Sequence, residues 1–96
     1  MTGPPATRKL MSCTTAEFAA SMANVGGMEE LPDSTWTGKA GQGTALIRYQ
    51  SQPGVKLGGL LQIPRAVVTI AFDNASEADR TAFLRRFELA FQRGGG

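Results

Sequence analysis

Apolar residues recur at helical spacing at the two ends of the chain and alternate in its middle. Phe18, Met22 and Val25 fall at i, i+4 and i+7 with Ala19 beside them, which makes one apolar stripe on a helix. Thr14-Thr15-Ala16-Glu17 marks its start as a capping box: the threonine hydroxyl accepts from an amide three residues on, and Glu17 reaches back. Gly26-Gly27 supplies the positive φ that closes it. A second stripe of Phe83, Leu84, Phe87, Ala90 and Phe91, with Arg80, Arg85, Glu88 and Gln92 on its far side, predicts a C-terminal helix. Ser76-Glu77-Ala78-Asp79 opens it with aspartate in the reciprocal position, and the acidic first turn and Arg93 near the end suit the helix dipole.

Between the helices the period changes to two. Residues 35–40 form a short candidate strand with Trp36, and Gly41-Gln42-Gly43 a turn. In residues 44–50, Ala45, Ile47 and Tyr49 share one face and Leu46, Arg48 and Gln50 the other. Gln52-Pro53-Gly54-Val55 has the residues of a type II turn, which predicts a return through residues 55–63 with a bulge or bend at Gly58-Gly59. Pro64 marks an edge or break, and residues 66–72 alternate again, with Val68, Ile70 and Phe72 inward. Residues 28–34 read as an acidic connector. The expected fold is an α+β two-layer sandwich in the order α-β-β-β(-β)-α. Its antiparallel sheet of three or four strands carries the N-terminal and C-terminal helices on one face. Residues 10–93 form the single domain, between flexible tails at 1–9, where Gly3-Pro4-Pro5 opposes regular structure, and at 94–96.

Composition agrees with one domain: 96 residues, 42% hydrophobic and 19% charged. The net charge of +2 conceals an asymmetry, because residues 34–72 hold Lys39, Arg48, Lys56 and Arg65 and no acid. If Ile47 and Tyr49 face the helices, then Leu46, Arg48, Val67, Thr69 and Ala71 face away, on a surface that is part apolar and part basic. Such patches mark interfaces. Lys39, Leu46, Arg48, Lys56, Arg65, Val67 and Thr69 are therefore the expected partner-binding residues.

Candidate chemistry is sparse. With no histidine and one cysteine, the commonest general base and metal ligand are missing and no internal disulfide can form. A reducing, cytoplasmic setting is the default for such a chain. Cys13 precedes a helix start, where a thiol can be activated, but no base is at hand; a small half-buried side chain is the simpler reading. Leu10-Met11-Ser12-Cys13 imitates a lipoprotein cleavage box without the preceding apolar stretch, so lipidation is not expected. Neither glycine cluster follows a strand and opens a helix, as a phosphate loop would. Glu29, Glu30 and Asp33 lack the order of a calcium loop. No apolar run is long enough for a membrane helix.

These features predict a non-enzymatic protein-interaction module with no cofactor and no metal. It would homodimerise or dock an acidic partner through the open sheet face. Nucleic-acid binding by the basic sheet segment is the alternative. The α-β-β-β-α order is shared with the double-stranded-RNA-binding domain, but the start of the second helix is acidic where that domain is lysine-rich. Trp36 and Tyr49 are the only candidate stacking residues in the sheet.

Overall fold

The computed structural model describes residues 6–59 and 61–94. It contains β1 (Ala6–Met11), α1 (Thr15–Val25), β2 (Met28–Leu31), β3 (Thr35–Ala40), β4 (Gly43–Leu57), β5 (Leu61–Asp73) and α2 (Glu77–Gly94). The strands make one antiparallel sheet in the order β1-β5-β4-β3-β2. The α+β two-layer arrangement is the expected one. The sheet is wider than expected, because a strand is added at each edge.

Both helices start as their sequences dictate. Thr14 Oγ1 accepts from the Glu17 amide (3.1 Å), and Glu17 Oε1 accepts from the Thr14 amide (2.8 Å). At α2, Ser76 Oγ accepts from the Asp79 amide (3.1 Å) and Asp79 Oδ2 accepts from the Ser76 amide (3.4 Å). The helices bury Phe18, Met22, Val25, Phe83, Phe87 and Ala90 against Trp36, Ala45, Ile47, Tyr49, Val68, Ile70 and Phe72 of the sheet. The predicted inward positions of β4 and β5 are thus the buried ones.

Four expectations are corrected. Residues 6–9 are not tail: Ala6–Met11 pairs along β5, from Ala6 opposite Ala71 to Met11 opposite Ala66. Residues 1–5, 95 and 96 lie outside the described residues, and Gly94 ends α2. The connector at 28–34 is a strand and a turn: β2 pairs with β3, and Asp33 and Ser34 turn the chain at φ 64° and 54°. Gln52-Pro53-Gly54-Val55 does not reverse the chain. It is a bulge in β4, between the pairs Gln52–Arg65 and Val55–Ile63, and Pro64, which has no amide to donate, lies opposite it. The reversal falls at Gly58-Gly59, both at positive φ (64° and 76°). The chain order β-α-β-β-β-β-α also departs from that of the double-stranded-RNA-binding domain.

Moving the turn to Gly58-Gly59 makes β4 15 residues long. At ~3.3 Å per residue such a strand reaches ~50 Å, and the longest molecular axis is 47 Å. The radius of gyration, 14.1 Å, exceeds the ~12.5 Å of a compact domain of this length. The outer parts of β4 and β5, residues 52–57 and 61–65, form a two-stranded arm that is exposed or half-buried along its length.

Candidate functional site

The face of the sheet away from the helices follows from the register. One cross-strand row is Arg8, Thr69, Arg48, Thr35 and Leu31, and the next is Ala6, Ala71, Leu46, Thr37 and Glu29. Directly opposed residues share a face, so both rows belong to the uncovered side. Leu10 lies beside Val67, and Val67 beside Gln50, on that side too. Val67 is buried between its neighbours, and Arg8, Lys39, Leu46 and Arg48 are exposed. Along the arm, Val55 faces Ile63 and Leu57 faces Leu61.

Among the described residues the large exposed apolar side chains are Leu10 (71% exposed), Leu46 (44%), Leu57 (48%), Leu61 (57%) and Leu89 (50%). Four of these five lie on the open face or on its continuation along the arm, and Leu89 is on α2.

Of the expected partner-binding residues, Lys39, Leu46, Arg48, Val67 and Thr69 come together on this face. Lys56 does not: it pairs with Gln62 and alternates to the opposite side from Leu57. Arg65 sits at the bulge opposite Gln52 and lines a groove between the arm and the start of α1, with Thr14, Tyr49 and Pro64. Sequence reasoning missed Arg8, Leu10 and Glu29. Two of them lie in β1 and one in β2, strands with no alternating apolar signal. Glu29 also means that the face is not free of acid, although its centre is.

The aromatic residues considered for base stacking are not available to it. Trp36 and Tyr49 are buried on the helix side, where the Phe18 ring lies 5.1 Å and 4.9 Å from theirs. The Tyr49 hydroxyl donates to the Cys13 carbonyl at 2.7 Å.

The groups with candidate chemistry are few. Burial raises the Cys13 thiol above its ordinary pKa and the Glu17 carboxylate raises it further, so the nucleophilic thiolate is disfavoured. Asp79 is held below the usual carboxylate range by the amide of Gln42, which it accepts at 3.3 Å, and by Ser76. Both roles are structural: the Gln42 bond ties the β3–β4 turn to the start of α2, and the Ser76 bonds cap α2 itself. Among the described residues no three His, Cys, Asp or Glu side chains are placed to hold a metal, and no buried side-chain polar atom lacks a partner. No described helix is long and apolar enough to cross a membrane.

No family model, no curated protein and no solved structure matches the chain.

Proposed function

We propose that the protein is a non-enzymatic interaction module whose open sheet face docks a polypeptide carrying acidic residues around an apolar centre. The observation that supports this is the concentration of exposed leucines on that face, Leu10, Leu46, Leu57 and Leu61, with the cations Arg8, Lys39 and Arg48 among them. Water is poorly excluded from such a surface unless a partner covers it. Five strands ~4.8 Å apart and about six residues long give ~500 Å² of flat sheet, and the arm extends this toward the ~800 Å² per partner of a standard interface.

An acidic partner fits better than a second copy placed face to face. β4 is the central strand. A two-fold axis along it would bring Arg48 against the Arg48 of the other copy, and like charges oppose such contact.

Fluorescence anisotropy with two labelled peptides tests the reading, one alternating Leu or Phe with Asp or Glu and the other with Lys in place of the acids. The acidic peptide binds and the basic one does not. Leu46→Asp and Arg48→Glu each weaken binding about tenfold or more, as loss of a central contact does, while Leu89→Asp on α2 has no effect. Equal losses from Leu46→Asp and Leu89→Asp would refute the docking face. Self-association at micromolar concentration abolished by Leu46→Asp, as read by light scattering, would replace the acidic partner with a second copy.

A further inference from the structure

The two outer strands carry opposite charge in matching positions. β1 presents Arg8 on the open side and Lys9 on the helix side, since Arg8 lies opposite Thr69 and Lys9 opposite buried Val68. β2 presents Glu29 on the open side and Glu30 on the helix side, since Glu29 lies opposite Thr37 and Glu30 opposite buried Trp36. Neither strand has a partner on its outer side among the described residues.

Strand direction completes the match. Each neighbour in the order β1-β5-β4-β3-β2 is antiparallel, so β1 and β2 run the same way. A second copy placed beside the first, with its helices on the same side, lays its β1 parallel to the first copy's β2. In one register Thr7 lies beside Met28, Arg8 beside Glu29, Lys9 beside Glu30 and Leu10 beside Leu31. Open-side residues then meet open-side residues, helix-side meet helix-side, and every charge meets its opposite. Lys9 already holds Glu88 of α2 at 3.3 Å, so Arg8 and Glu29, both exposed and in no ion pair among the described residues, make the stronger contribution.

Same-edge pairing is opposed by the same residues. Antiparallel β1 on β1 with the helices on one side brings Arg8 to Arg8 or Lys9 to Lys9 in the registers centred on those residues, and β2 on β2 centred on Glu29 or Glu30 brings glutamate to glutamate. Edges protected only against aggregation would suffice with one sign of charge; here the signs are complementary.

We infer that copies of this chain associate head to tail, β2 of one against β1 of the next, extending the sheet from molecule to molecule. The contact is heterologous, so assembly does not stop at two. The junction is four residues long and its ion pairs are exposed, so association is weak and favoured by low salt. This inference shares Arg8 and Glu29 with the open face but needs no acidic partner there, and its readout is self-association alone.

Sedimentation velocity of the full chain over a range of concentrations tests it. In ~0.02 M salt the mass rises with concentration past that of a dimer, and in ~0.5 M salt it falls back to a monomer. Arg8→Glu and Glu29→Arg each weaken association about tenfold, since an attraction becomes a repulsion. Combining both changes in one chain restores it, and so does mixing the two single variants, because each junction in the mixture pairs opposite charges. Circular dichroism confirms that the single variants are folded, and restoration on mixing gives the same proof. A monomer at every concentration in low salt, an assembly that stops at the dimer, or a double variant that stays monomeric would overturn the inference.

Discussion

At the scale of single residues, Phe18 joins the layers. Its ring lies 5.1 Å from Trp36, 4.9 Å from Tyr49, 6.4 Å from Phe87 and 5.1 Å from Phe91, and so touches both strand and helix aromatics. Phe18→Ala removes a fully buried ring from this cluster and lowers stability by about 3–5 kcal/mol, measured by urea unfolding. That is a large share of the ~5–15 kcal/mol of an ordinary domain. Asp79 makes a different prediction. Its folded pKa is depressed, so its contribution is present above the ordinary carboxylate pKa and is lost as pH falls through the lower, folded value. Asp79→Asn therefore lowers the melting midpoint at neutral pH, and the gap from the wild type narrows on acidification. A gap that stays constant with pH would contradict the role given to its bonds with Gln42 and Ser76. Gly41 depends on the same contact: it has φ 62°, and a Cβ there would meet the Asp79 carboxyl group.

At the scale of elements, the arm is the part most exposed to failure. Gly58 and Gly59 hold left-handed conformations that cost ~1–2 kcal/mol per residue with a side chain. Replacing both with valine raises hydrogen exchange at Val55, Lys56 and Leu57 and leaves the urea midpoint of the core nearly unchanged, since the bulge at Pro53-Gly54 and Pro64 interrupts the ladder between arm and body. The helices, β3 and the inner halves of β4 and β5 were legible in the sequence because each buries one face and so writes its period in apolar residues. The arm was not, because Pro-Gly at 53–54 is a strong local turn signal. Long-range pairing overrides it: with Thr44 opposite Asp73 and Gln52 opposite Arg65, the midpoint of the ladder falls between Gly58 and Gly59. β1 and β2 were illegible for another reason. Edge strands are wet on parts of both faces, so residues 6–11 and 28–31 carry charge where an inner strand would alternate.

At the scale of the whole molecule, the centre of the candidate site could be read from the strand period and its margins could not. Leu46, Arg48, Val67 and Thr69 follow from alternation once the inward face is known. Arg8, Leu10 and Glu29 join the surface only through strands that the period does not reveal, and Lys56 leaves it because the bulge changes which residues oppose one another beyond Gln52. The edges, as a complementary pair, exist only in the folded sheet, since residues 8 and 29 are not neighbours and lie on its opposite borders. The position of β1 also has a consequence for synthesis. Of the described strands it is the first to emerge, and its one partner among them is β5, so it has no described strand to pair with until most of the sheet has been made. A strand with a continuous apolar face would spend that interval as an aggregation hazard. Arg8 and Lys9 keep it hydrated while it waits, so the charges that mark the finished border also protect the unfinished chain.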